Sequence, residues 1–167
     1  MNIKAVYIQL KFLFLTLLIS FAGCGLGSHP TDNALEQQLK SNEKEFNKLA
    51  VIFNEDLNVV RLNDEDIFLI DDSKPAPSQE RLAEYRHLFR ELKIEKGIHR
   101  DNAKQVRLIV SSKGLFIPNS EKSLMYSSEK PSPLVDFIDA IVSKNQGDHP
   151  PVYKKLGGNW YIYYESW

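Results

Sequence analysis

Apolar residues recur at helical spacing in three stretches of the chain. Leu35, Leu39, Phe46, Leu49 and Phe53 fall three or four residues apart once Asn42 is counted in the row, which predicts a helix from about Ala34 to Asp56. Asn33 is placed to cap it, with Glu36 three residues on, as in a capping box. Ser78 caps a second helix, about Gln79 to Lys93, whose inward face is Leu82, Tyr85, Leu88, Phe89 and Leu92. Ser132-Pro133 is a cap followed by proline at the first helical position, and Leu134, Phe137, Ile138, Ile141 and Val142 then predict a third helix.

The strand signals lie between and after these helices. Val59-Val60 and Ile67 to Ile70 flank an acidic turn, Asn63 to Asp66, and the unbroken Ile67–Ile70 run predicts a strand buried on both sides. Two prolines in Asp71 to Pro77 make that stretch a loop. Val106 to Val110 is a β-branched run, and Lys122 to Ser127 predicts another strand. Gly157-Gly158 divides Val152 to Trp167 into a hairpin. Helices and hairpin-linked strands interleave, so the predicted class is α+β: an antiparallel sheet of four to five strands with three helices packed on it, formed by one domain over 34–167.

The chain's start has a different pattern. Lys4 and Lys11 precede an apolar run from Phe12 to Phe21, and the small residues Ala22 and Gly23 stand before Cys24, the one cysteine of the chain. Charge, a short apolar run and small residues make a secretory signal over 1–23, too short for a spanning helix. Phe21-Ala22-Gly23-Cys24 resembles the lipobox of bacterial lipoproteins, with Phe21 where Leu is usual. That resemblance implies cleavage before Cys24, lipidation of Cys24 and anchoring in the membrane by several acyl chains. Gly25 in place of Asp favours the outer membrane, facing the periplasm, by the sorting rule of enteric bacteria. Residues 24–33 then form the lipidated cysteine and a tether (Gly25 to Asp32 reads GLGSHPTD) of at most ~28 Å.

Composition narrows the classes. The 167 residues carry a formal charge of -1, and loss of Lys4 and Lys11 takes the mature chain to -3. A nucleic-acid partner is disfavoured by that balance. One cysteine excludes an internal disulfide and a multi-cysteine zinc site. No phosphate loop, GxSxG or HExxH stretch is present, and the sequence calls for no cofactor and no metal. The four histidines, His29, His87, His99 and His149, read as solvated surface residues.

Three groups of residues remain as candidates for binding. Arg81 lies in the first turn of the second helix, where the dipole disfavours a cation. It has a fixed carboxylate partner, binds an anion, or snorkels from the core edge. On the last strand Trp160, Ile162 and Tyr164 share one face while Tyr161 and Tyr163 share the other. The second face is either an exposed tyrosine patch suited to an interface or a surface covered by helices. An enzyme would need a converging pair, and Lys122 with Tyr126, or His99 with Arg100, are the pairs available.

Arg81 to Arg86, Leu88-Phe89, Gly97-Ile98, Gly114-Leu115, Lys122, Tyr126, Pro131 to Asp136 and Leu156 to Tyr163 together resemble a group of small proteobacterial lipoproteins of unknown function. The resemblance covers about residues 78–165 and the signal, and Ser123 stands where those proteins usually have glycine. It implies a small envelope lipoprotein and transfers no catalytic residue. The expected function is a non-enzymatic protein-binding module, with an immunity protein against a periplasmic toxin as one form. The alternatives are an enzyme acting on cell-wall or lipid material, and a structural assembly factor that docks through its first helix.

Overall fold

The computed structural model describes residues 28–114, 119–144 and 147–167. The predicted signal peptide, Cys24, Gly25 to Gly27, residues 115–118 and residues 145–146 lie outside the described residues. The elements in chain order are α1 (Asp32–Ser41), α2 (Glu43–Glu55), β1 (Val59–Leu62), β2 (Ile67–Leu69), α3 (Gln79–Leu92), β3 (Ile98–Asn102) and β4 (Gln105–Lys113). They continue with β5 (Ser120–Ser127), α4 (Asp139–Val142), β6 (His149–Gly157) and β7 (Trp160–Ser166). The fold is α+β, as the sequence predicts, but the sheet has seven strands in the order β2-β1-β3-β4-β5-β7-β6, every neighbour antiparallel.

The first predicted helix is two helices. Asn42, the polar residue within the stripe, leaves helical geometry (φ -133°), and the chain restarts as α2. The cap of α1 is Thr31 rather than Asn33, its hydroxyl accepting from the Ala34 amide at 3.2 Å. The stripe itself behaves as expected: Leu35, Leu39, Phe46, Leu49 and Phe53 are all buried. With Tyr85, Leu88, Phe89 and Leu92 of α3 they pack on one face of the sheet against Val59, Ile98, Leu108, Leu124, Ile162 and Trp160. Each such side chain contributes on the order of 1.5–3 kcal/mol by leaving water.

The predicted third helix shrinks to the single turn α4. Of its stripe only Ile138 is fully buried; Leu134 and Phe137 are exposed, because Leu134 instead bridges Tyr153 on the outer edge of β6. The Ile67–Ile70 run is not buried on both sides. β2 is an edge strand of three residues, and Phe68 and Ile70 are 50% and 63% exposed. The sheet has at least two strands more than the predicted four to five, and β3 is the strand that no sequence signal marked. β3 (IHRDN) carries Arg100 at an inward position, and β6 begins ahead of the predicted hairpin with Pro150 and Pro151, which an edge strand tolerates where its pairing with β7 is irregular between His149 and Val152.

Two local devices set the register. Gly97 enters β3 at φ +83°, where a Cβ would stand 2.0 Å from the Leu62 carbonyl oxygen and 2.8 Å from Asn63 Cα. A bulge between Leu108 and Ser111 shifts the alternation of β4, so that Ser111 faces the helices opposite Lys122. Gly97→Ala is expected to lower the urea midpoint of unfolding by the equivalent of at least ~1–3 kcal/mol, since both the backbone angle and the Leu62 contact forbid a side chain. An unchanged midpoint would mean that β1 and β3 do not pack as described.

Candidate functional site

Strand alternation sorts the predicted residues onto two faces. Lys122 and Tyr126 point to the helical side; Tyr161 and Tyr163 point to the opposite, helix-free side. Arg81 lies off the sheet on α3. Its guanidinium is 3.0 Å from Glu55 Oε2, 3.7 Å from Asp56 Oδ2 and 3.5 Å from Glu84 Oε2. Burial lowers its pKa, but Asp56 and Glu55 outweigh that and raise it. Tyr85 donates to the same Asp56 at 2.6 Å. Arg81 therefore has fixed carboxylate partners that tie α3 to the end of α2.

Lys122 is completely buried. Its Nζ lies 2.7 Å from Asp32 Oδ1 and 2.6 Å from Asp139 Oδ1. The two carboxylates brace one another's helices: the Asp32 amide donates to Asp139 Oδ2 and the Ile138 amide to Asp32 Oδ2, both at 2.9 Å. Lys154 stands 3.4 Å from Asp32 Oδ2. Burial pushes the Asp32 carboxyl up, but Lys122, the Ile138 amide and Lys154 together hold it below the usual carboxylate range. Tyr126 is four residues along β5, about 13 Å away. It packs edge-on to Trp160 and accepts from Asn159, so the predicted Lys122–Tyr126 pair does not converge.

His29, expected to be solvated in the tether, is 9% exposed. One ring nitrogen meets Ser111 Oγ at 3.1 Å and the other Ser120 Oγ at 2.8 Å, and the ring packs edge-on to Tyr164. Burial, with Lys113 and Lys122 adding to it, lowers its pKa from 6.5 to about 4. The residues of the tether from His29 onward are thus part of the packed domain.

His99 and Arg100 are separated by the same alternation. Arg100 is buried under the helices, donating to the Phe53, Val59 and Asn54 oxygens with its guanidinium 4.6 Å from the Phe53 ring centre. His99 faces the helix-free side. There the register builds one continuous row across all seven strands: Phe68, Arg61, His99, Arg107, Met125, Tyr161 and Lys155. Tyr161 and Tyr163 are each 4% exposed although no helix covers them. Long cations of the row lie over the rings, Lys155 Nζ 4.1 Å from the centre of Tyr161 and Arg107 Cζ 4.5 Å from that of Tyr163. The tyrosines are the floor of this face, not its surface.

Arg107 is the fixed centre of the row. Its guanidinium is 2.7 Å from Asp101 and 2.9 Å from Glu121. Burial alone would lower its pKa; Glu121 and Asp101 raise it instead. Burial would raise that of Asp101, but hydrogen bonds with His99 (2.9 Å) and Arg107 hold it down. Beside this group opens a pocket of about 390 Å³ lined by Arg61, Lys96, His99, Arg107, Glu121 and Trp167 among others. Neither Arg61 nor Lys96 has a carboxylate partner among the described residues, and the buried Arg61 Nε has no hydrogen-bond partner. Trp167 and Phe68, both half-exposed, stand beside these cations. A larger hollow of about 760 Å³ lies between α1 and the end of α3, but its lining mixes Glu91 and Glu95 with Lys93 and Lys113, and no aromatic lines it. The row and its pocket are therefore the candidate site. Among the described residues no three His, Cys, Asp or Glu side chains gather as metal ligands.

Compared with family models, curated proteins and solved structures, the chain matches none. The site must be read from its own chemistry.

Two measurements check the helical-side cluster. Lys122→Met removes the buried cation that Asp32 and Asp139 share, leaving Asp32 only Lys154 at 3.4 Å, and is expected to cost up to ~3–5 kcal/mol, lowering Tm by up to roughly 6–20 °C. Adding Asp32→Asn should cost much less than a second such loss, because it removes the orphaned charge. For His29 the folded pKa lies below the unfolded one. The unfolded chain therefore binds more protons between them, and stability is full above 6.5 and falls as pH drops toward 4. Urea unfolding across that window should show the slope, and His29→Gln should flatten it.

Proposed function

We propose that the chain is an envelope lipoprotein held by acyl chains on Cys24 at the periplasmic face of the outer membrane, where its helix-free sheet face binds a protein partner without catalysing a reaction. The observation that supports this is the composition of that face. Its accessible groups include Arg61, Phe68 and the half-buried Tyr153, arginine and aromatic residues of the types enriched at interfaces. Its charges are rigidly seated, and Arg61 and Lys96 are left for an incoming acidic group. One partner that suits a small anchored module is a toxin delivered into the periplasm, for which this protein would be the immunity protein. The assembly-factor alternative needs a helix free to dock, and the apolar stripe of α1 and α2 is spent in the core.

One observation favours a second reading, an enzyme acting on envelope material. His99 is oriented by Asp101 and lines the pocket, an arrangement suited to general acid–base work. Against it, Asp101 is equally engaged by Arg107, and no hydroxyl among the described residues bonds to His99.

A photo-crosslinking residue at Ser112, in the pocket, is expected to trap one protein in intact cells. The same residue at Val51, exposed on α2, should trap none. Arg61→Ala should weaken that partner's binding by about 2 kcal/mol, roughly 30-fold. Trapping at Val51 alone, or a product-forming activity abolished by His99→Ala, would replace this reading with another.

A further inference from the structure

The route from Cys24 to the domain is short, and where it arrives is defined. The first side chain held in place is His29, locked to Ser111, Ser120 and Tyr164. Asp32, three residues on, is held by Lys122 and by the reciprocal bonds with the Ile138–Asp139 turn. Five peptide steps separate Cys24 from His29, a span of at most ~18 Å between their Cα atoms. The sheet is wider than that: seven strands at ~4.8 Å spacing extend for roughly 30 Å. A domain on such a leash cannot present every side to the lipid equally.

The end of the sheet where His29 docks carries the last residue of β4, the first of β5 and the last of β7. Ser120 pairs with both Lys113 and Ser166, and His149 pairs with Ser166. Trp167 follows Ser166, its amide bonded to the Asn119 carbonyl at 2.9 Å, and its side chain is 50% exposed. A half-exposed indole suits a membrane–water boundary, where its apolar ring and N–H sit among headgroups; Lys96 lies on one side of Trp167 and Asp148 on the other.

We propose that this end of the sheet, with Lys113, Asn119, His149 and Trp167 at its rim, rests on the phospholipid surface that holds Cys24. The proposal depends on the lipoprotein reading above and adds the orientation of the domain. The opposite end, with the β3–β4 and β6–β7 turns, then points away from the bilayer, and the row from Phe68 to Lys155 runs across the strands between the two ends. The occupant is a lipid surface reached by the leash rather than by attraction, because the mature chain carries a formal charge of -3.

The fold supplies its own control. The two tryptophans stand at opposite ends of β7, about 23 Å apart, and Trp160 is buried at the far end. The test is tryptophan emission from the lipidated mature protein in phosphatidylcholine vesicles, plain or brominated in the upper acyl chain. The expected result is that bromolipid removes most of the Trp167 contribution, the part of the emission absent from Trp167→Phe, and leaves Trp167→Phe itself unchanged. Twenty Gly/Ser residues inserted between Gly27 and Ser28 should restore the Trp167 emission several-fold. Equal Trp167 emission in both vesicle types overturns the proposal. The mass of the N-terminal fragment separates the two possible failures: an acylated Cys24 with unquenched Trp167 removes only the orientation, whereas an unmodified Cys24 removes the lipoprotein reading with it.

Discussion

A lysine with no access to water must keep its charge partnered, and Lys122 does so with groups from two distant parts of the chain. Asp32 comes from the start of α1 and Asp139 from the turn α4, 107 residues later. Because the buried ammonium is bound to both carboxylates, the N-terminal segment, the central strand β5 and the crossover to β6 are held as one piece. The bulge in β4 belongs to the same arrangement. It turns Ser111 toward the helices, where it meets His29, three residues before Asp32 reaches Lys122. An ion cluster of this kind adds little net stability compared with apolar packing. It specifies where the first helix lies, and through that where the chain enters the domain.

With three helices committed to one side, the sheet's other side has to manage its own surface. It does so with long side chains laid flat. Lys155 covers Tyr161, Arg107 covers Tyr163, and Asp101 and Glu121 fix Arg107 from either side. The aromatic floor stays dry without a second helical layer, while the cations that cover it remain at the surface. Charges not needed for that task, Arg61 and Lys96, gather at one pocket. A partner meeting this face encounters ordered groups, and little rotamer freedom is lost on contact.

Periodicity made the helical stripes, the β7 alternation and the β6–β7 hairpin legible, because each rests on apolar residues at a fixed interval. Elements that depend on polar burial were not legible. β3 reads as a charged loop because Arg100 occupies an inward position, satisfied by oxygens of Phe53, Asn54 and Val59 far away in sequence. Lys122 carried one signal: it alternates with Leu124 and Tyr126, so a strand reading of β5 places a lysine inward. His29 carried none. The Ile67–Ile70 run shows the converse, since an unbroken apolar stretch does not distinguish a central strand from a short edge strand. Alternation along β7 puts Tyr161 and Tyr163 on one face, but their burial under Lys155 and Arg107, neither an exposed patch nor a helix-covered surface, follows from a cross-strand register that no single strand encodes.

The claim at the centre of this account is that the helix-free face is the one in use. Oxidative footprinting of the protein in the intact envelope, against the purified folded chain, measures it directly. Phe68 and Tyr153 on that face should be protected in the envelope, while Val51 and Leu57 on the helical side react equally in both. Protection of Val51 with Phe68 unchanged would contradict it.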